Sequence, residues 1–489
     1  MSLTEFVAHF WQDIAGGLFL LEIVVTAATL VWVLYLKRDP MSAIAWGLLV
    51  LLMPFLGSFL FALFGYQTVH RPLAKKKQRR KAYRALSGGP ADSRAGGGGG
   101  PAGVPERWAA LATLAHHPDG FPVTAGNRLE FYHHGDPAYA AMLAAIGGAR
   151  HHVHIEFFIF RPDDSGRRFT NAIAAAAKRG VEVRFLYDSV GSHALSRRLL
   201  DELRAAGGTV AAFLPLLNPL YRLRINLRNH RKILVVDGRA AFTGGLNVGD
   251  EYLGKDPKFG DWRDTHVRVE GPAVRSLQDV FLEDWHFATN TVVGGPAYHP
   301  PAAAAPGNSL VQVAHSGPDA DYKVIRETYF AGILRGRKRV WIASPYFVPD
   351  AGLLDALMLA AREGVDVRFL GLFRPDKWIP FLAARYYWSD VIAAGVKVYQ
   401  YTRGMMHAKY MLVDGEWASV GTANTDNRSL LLNYEVNCLI YDPAAVAELE
   451  RQYETDLGYS VLIDPAVYAT RPLASRLAEN AARLLSPVL

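Results

Sequence analysis

Residues 229–238 read NHRKILVVDG and residues 406–415 read MHAKYMLVDG. Each phrase places His, one residue, Lys, four residues and then Asp-Gly, and the two histidines, His230 and His407, lie 177 positions apart. The likeness spreads outward from both phrases. VHIEFFIF at 153–160 and VWIASPYF at 340–347 read as buried strands, each followed by an alanine-rich helical stretch. GVEVRFL at 180–186 matches GVDVRFL at 364–370, and Asn247 and Asn424 each follow their histidine by 17 residues. Both copies close on an aromatic helical stretch, FLEDW at 281–285 and YETDL at 453–457. Solenoid repeats run to about 20–50 residues, so this period indicates a duplicated domain instead. Strand and helix patterns alternate throughout. The expected fold class is therefore α/β, with two duplicated lobes of mixed central sheet flanked by helices, related by a pseudo-twofold axis.

The N-terminal region is of another kind. From Gly17 to Leu36 the chain is almost uniformly apolar, broken only by Glu22, and about 20 helical residues suffice to cross a bilayer. Lys37–Pro40 interrupts it, and a second apolar run, 41–64, carries Pro54 and Gly57. A signal peptide has an apolar core of about 7–15 residues before a small-residue cleavage site, which neither run resembles. The expectation is a transmembrane hairpin within residues 1–70, with spans about 17–36 and 41–64, rather than two core helices of a soluble protein. RPLAKKKQRRKAYR at 71–84 then brings eight Lys or Arg residues. Positive charge beside a span is retained in the cytoplasm and attracted to anionic lipid, which puts the remaining chain on the cytoplasmic side. SGGPADSRAGGGGGPAG at 87–103 is linker by composition. Residues 71–107 are thus a basic juxtamembrane segment and linker, and the lobes are expected at 108–299 and 300–489, jointed near the Pro/Ala-rich 300–307.

A net charge of +7 and a pI near 9.2 favour acidic partners, either nucleic acid or anionic lipid. The single cysteine, Cys438, excludes an internal disulfide, fits a reducing compartment, and reads as packing within VNCLI.

Side chains two apart on a strand share a face, so His230 projects with Lys232 and His407 with Lys409. Asp237-Gly238 and Asp414-Gly415 then supply tight turns, with the aspartates holding the turn and its backbone. Brought together, the two phrases surround one pocket with two imidazoles and two ammoniums, to which Asn247 and Asn424 add amide donors. Such a pocket suits a phosphodiester and needs no metal or cofactor. One neutral histidine can attack phosphorus while the other, protonated, serves the leaving oxygen. Each requires an acid on its other ring nitrogen; the candidates are Asp264 in DWRD and Glu435 in NYE.

The two phrases match the HxKxxxxD motifs of the phospholipase D superfamily. NLRNHRK at 226–232, TGGLNVGDEY at 243–252, WRDTH at 262–266 and SPYF at 344–347 resemble bacterial cardiolipin synthases more closely, as does the N-terminal region with Pro40, Trp46, Pro54 and Gly65. The resemblance covers the whole chain except the glycine-rich linker. It implies His230, Lys232, Asp237, His407, Lys409 and Asp414 as the catalytic motif residues, with His230 the nucleophile and His407 the acid and base. It further implies transfer of a phosphatidyl group between two phosphatidylglycerols to give cardiolipin and glycerol, at an anionic membrane surface of a bacterial inner membrane. No nucleic acid partner is expected, and self-association into a homo-oligomer stays open. The alternatives are a membrane-bound phospholipase D acting on other lipids, a phospholipase D-like nuclease, and a scaffold with degenerate motifs. The intact His, Lys, Asp and Asn positions speak against the last.

His133, His134, His151, His152 and His154 match no common zinc spacing and read as strand-edge or surface residues. Arg222, Arg224 and Arg228 either grip a headgroup phosphate or form a solvated face. The periodic Leu473, Leu477, Leu484 and Leu485 predict a helix that packs on the second lobe, with membrane-surface contact as the alternative.

Overall fold

A computed structural model describes residues 3–37, 40–65, 103–116, 120–215, 227–301 and 306–489. The basic segment 71–84, almost all of the linker, Arg222 and Arg224 lie outside the described residues. These residues fall into two compact units, the helices before residue 66 and everything described from residue 103 onward.

In the first unit Leu3–Leu36 is one helix, and its stretch Ile14–Leu36 is long and apolar enough to cross a membrane. The expected second span of 41–64 is not a single helix. Proline at position 54 removes a helical hydrogen bond, and Met53 leaves helical geometry at φ −139° and ψ 73°. Pro40–Leu52 and Pro54–Leu60 are therefore separate helices, and 13 residues rise only about 20 Å against a hydrocarbon core of about 30 Å. Gly57 is where the two meet, because a side chain there would strike the backbone of Leu49 and Val50. Phe61 packs edge-on to Trp32 at 5.5 Å and to Trp46 at 5.3 Å, so the broken run folds back on itself and on the long helix.

The second unit is built on one 15-stranded mixed sheet. The expected two sheets of two lobes are instead continuous, joined where Thr124–Tyr132 pairs antiparallel with Ser309–Ser316 through a bulge. Outward from that joint the strand order runs the same way on both sides. His152–Phe157, Glu182–Asp188 and Thr209–Phe213 are parallel on one side, as are Arg339–Ala343, Asp366–Leu372 and Lys397–Tyr401 on the other. Residues 106–116, split between linker and first lobe by the sequence reading, dock on the second half. Trp108 stacks on Trp417 at 5.7 Å, and Arg107 pairs with Asp414 and Glu416. Burying the Trp108 ring against that partner outweighs sequence proximity.

The phrase strands Ile233–Val236 and Tyr410–Val413 each turn back through their Asp-Gly. Asp237, Gly238, Asp414 and Gly415 all have positive φ, the type I′ geometry that matches strand twist. The left-handed aspartates are compensated by backbone donors. Asp237 accepts from the amides of Arg150, His151 and His152, and Asp414 from those of Arg337, Lys338 and Arg339. Each carboxylate thereby pins the entry of the neighbouring parallel strand. Cys438 is buried in Glu435–Ile440. His152 and His154 are core residues rather than strand-edge ones, since His154 stacks on Phe281 at 4.6 Å between Gln278 and Arg184.

Replacing Asp414 with Asn removes a buried ionised acceptor of three amides, a loss of about 2 kcal/mol, which lowers the thermal midpoint by about 2–3 °C at pH 7. The Asp414 carboxyl is held below its usual range, chiefly by the amides of Arg339, Arg337 and Lys338 and by Arg107 opposing burial. Its contribution is complete above about pH 4 and fades as pH falls through the depressed folded value, so melting curves of parent and variant converge in acid.

Candidate active site

Backbone pairing between the two halves of the sheet positions both histidines. The His230 amide donates to the Tyr434 carbonyl at 3.0 Å, and Tyr434 donates to Arg228 at 2.9 Å. On the other side Gly404–Met406 pairs parallel with Asp261–Arg263, and the His407 amide donates to the Arg263 carbonyl at 2.7 Å. In both cases the residue after the pairing partner is the acid. Glu435 follows Tyr434 and Asp264 follows Arg263, so each half delivers a carboxylate to the other half's histidine. His230 Nδ1 lies 2.9 and 3.0 Å from the two Glu435 oxygens, and His407 Nδ1 lies 2.7 Å from Asp264 Oδ2.

Buried ion pairs brace this arrangement. Arg231 pairs with Asp284 and also donates to the carbonyls of Glu435 and Ser316, at 3.2 and 3.1 Å. Arg263 Nε reaches Asp456 Oδ1 at 2.9 Å. The two aspartates are the acids of FLEDW and YETDL, buried polar residues inside aromatic helices, and that pattern was the available sequence signal for them.

The two histidine–acid pairs are not equivalent. Thr422 Oγ1 donates to Glu435 at 2.6 Å, and Asn433 Nδ2 donates at 3.2 Å. The corresponding residue behind Asp264 is Gly245, where any side chain would collide with the carboxylate. Burial pushes the Glu435 carboxyl up to about 7, whereas His407 and Lys409 hold Asp264 below its usual range despite burial. Burial also lowers both imidazoles, that of His407 to about 4 against the opposing pull of Asp264 and that of His230 well below its usual value.

The two ammoniums lie beside the histidines, with Lys232 Nζ donating to the His230 carbonyl at 2.7 Å and Lys409 to that of His407. Burial lowers Lys232 to about 7 and Lys409 to about 8. His230 faces a cavity of about 600 Å³ with Phe158, Arg228, Tyr346, Lys377, Asn424 and Arg428. Lys377 and Arg428 were not singled out from sequence, because each is a lone charge with no counterpart in the repeat. Arg228 lines the cavity rather than a solvated face.

Asn424 and Asn247 part company here. Asn424 donates to Asp426 at 3.2 Å and its carbonyl oxygen has no partner among the described residues, whereas Asn247 accepts from the Ile159 amide and donates to Tyr252. Asn247 thus braces the backbone beside the cavity. Asp237 and Asp414 are seven residues along from their histidines, on the order of 20 Å at strand rise, and do not reach the pocket. They belong to the turns.

A family model described as cardiolipin synthase, phospholipase D-like domain, matches residues 142–285 and 330–457, and one described as phospholipase D-nuclease N-terminal matches residues 24–65. A cardiolipin synthase of Alkalihalophilus pseudofirmus is 41% identical over 460 residues, 93% of this chain and 90% of that protein. One from a Geobacillus species is 40% identical over 496 residues, covering 98% and 95%. The crystal structure of a phosphatidylserine synthase from Haemophilus influenzae superposes with a TM-score of 0.61 at 15% identity, covering 79% of this chain and 100% of that one, a likeness of fold. The chain belongs to the cardiolipin synthases, phosphatidyltransferases of the phospholipase D superfamily.

Proposed function

We propose that the chain transfers a phosphatidyl group from one phosphatidylglycerol to a second, forming cardiolipin and glycerol, with His230 as nucleophile and His407 as proton carrier. The observation that carries this reading is the reciprocal clasp of two histidines by carboxylates from opposite halves, with His230 facing a cationic cavity. His230 Nε2 attacks phosphorus while Glu435 holds its Nδ1 proton. The leaving glycerol oxygen takes a proton from His407, and a phosphatidyl-histidine remains. Neutral His407 then accepts the proton of the second lipid's terminal hydroxyl, whose oxygen attacks phosphorus and expels His230. Lys232 and Lys409 offset the charge gathering on the equatorial oxygens.

The inequivalence of the acids supports the division of roles. Asp264 stays ionised and opposes the lowering of His407, which leaves His407 the more readily protonated of the two rings and the one suited to carry the proton. Glu435, raised by burial, gives little support to an imidazolium at His230, which stays uncharged and nucleophilic while its Nδ1 proton rests on the carboxylate. Asp237 and Asp414 act in this scheme through the turns alone.

Three organisational readings accompany the chemistry. Matching strand order on either side of the joint, and two matches to one family model, support an origin by duplication. The eight positive charges at 71–84 support a cytoplasmic catalytic unit at the bacterial inner membrane. The long apolar helix supports membrane anchoring, with the broken second run lodged beside it rather than spanning alone.

Purified full-length protein given vesicles of phosphatidylglycerol forms cardiolipin and free glycerol in equal amounts; phosphatidic acid as the main product would refute the transferase reading. His230→Ala and His407→Ala each lower kcat by about a thousandfold or more. Acid-quenched label from the donor phosphate maps to His230, and label on His407 would reverse the roles. The profile of kcat/KM against pH falls on the alkaline side, because Lys232 and Lys409 discharge through about 7 and about 8 and only their charged forms stabilise the transition state.

A further inference from the structure

The helix Leu473–Arg483 packs with the wrong face inward for a helix of a soluble core. Glu479 is 1% exposed, bonded to Arg385 at 2.8 Å and to Arg471 at 3.1 Å, and Ala482 packs beside it against Ala383 and Val348. Leu473, Leu477 and Leu484 are 69, 60 and 73% exposed. At about 100° per residue these three leucines fall within about 40° of arc, a single outward stripe. The helix packs on the second half as expected, but through Glu479 and Ala482 rather than its leucines, because the buried ion pairs hold the polar face inward.

This stripe is continuous with the catalytic cavity. Beyond the helix, Ser486 bonds to Tyr387 at 3.0 Å, and Val488 and Leu489 line the cavity with Trp378, Ile379 and Pro380. Trp378 and Ile379 are themselves 67 and 49% exposed, so the rim is apolar where it meets solvent. Just inside stand Arg228, Lys377 and Arg428, cations suited to an anionic headgroup. We propose that the leucine stripe of Leu473–Arg483, with Trp378 and Ile379 at the rim, is a docking surface for an anionic phospholipid bilayer that sets the cavity mouth against the lipid it consumes. The proposal rests on the synthase reading above. A cavity of about 600 Å³ suits a drug-sized ligand, not a lipid with two long acyl chains. Those chains stay in the bilayer while the phosphodiester reaches the histidines, so the side chains flanking the mouth are the ones that meet lipid. An amphipathic helix lying in the interface, with tryptophan beside it, is suited to that contact.

The test uses the full-length chain carrying Leu473→Gln, Leu477→Gln and Leu484→Gln together, and a second variant with Phe at the same positions. Two substrates are compared, vesicles of long-chain phosphatidylglycerol and dihexanoyl phosphatidylglycerol dispersed as monomers. The expected result is a loss of about tenfold or more for the Gln variant on vesicles, with no more than about a twofold change on monomeric lipid, and near-parental rates for the Phe variant on both. Equal loss on both substrates would assign the leucines a structural role and overturn the proposal, as would no loss on vesicles. A Gln variant that changes oligomeric mass in detergent would show that a second copy covers the stripe, which also overturns it. Failure of the parent to make cardiolipin from either substrate would instead sink the synthase reading.

Discussion

Each histidine is oriented by a carboxylate that belongs to the other half of the chain, and most of the second unit can be understood as the means of keeping those two contacts. A hydrogen bond from Nδ1 to an acid fixes the tautomer, and only the correct tautomer presents a lone pair or a proton at Nε2. That demand is met by short backbone bridges, His230 to Tyr434 and His407 to Arg263, which bring the following acid alongside the ring. The ion pairs Arg231–Asp284 and Arg263–Asp456 stiffen the same bridges from behind. Removing a whole half would leave one histidine with no acid and the other acid with no histidine.

The repeat made much of this readable. The paired phrases, the strands around them and the acids of DWRD and NYE are local patterns, and the structure brings His230, His407, Asp264 and Glu435 into two contacts. The crossing of those contacts between halves was not readable, because it depends on pairing between segments more than 140 residues apart. Neither was the docking of Trp108 on the far half, since an aromatic residue after a linker gives no sign of which surface it will bury against. The second apolar run carried its own warning in Pro54 and Gly57, but hydropathy counts residues and not turns. Leu473, Leu477 and Leu484 showed a true helical period; periodicity marks a face and leaves its direction to whatever Glu479 can pair with.

Symmetry in the backbone coexists with difference at the acids. Thr422 behind Glu435 and Gly245 behind Asp264 occupy equivalent places after the phrase strands, one adding a hydroxyl and the other leaving room for a shorter side chain. A site serving two successive displacements needs one imidazole that stays neutral and one that cycles its charge. The difference comes from the surroundings of the acids: burial raises Glu435 against the Thr422 hydroxyl, whereas His407 and Lys409 hold Asp264 low.

The pairing of Thr124–Tyr132 with Ser309–Ser316 makes the two halves one sheet, and a hydrogen-bonded sheet does not hinge as two domains on a linker do. The cavity therefore does not open by the two halves swinging apart about a linker. A donor with two acyl tails is admitted there, and a product with four must leave by the same opening, sideways, with its tails never drawn inside.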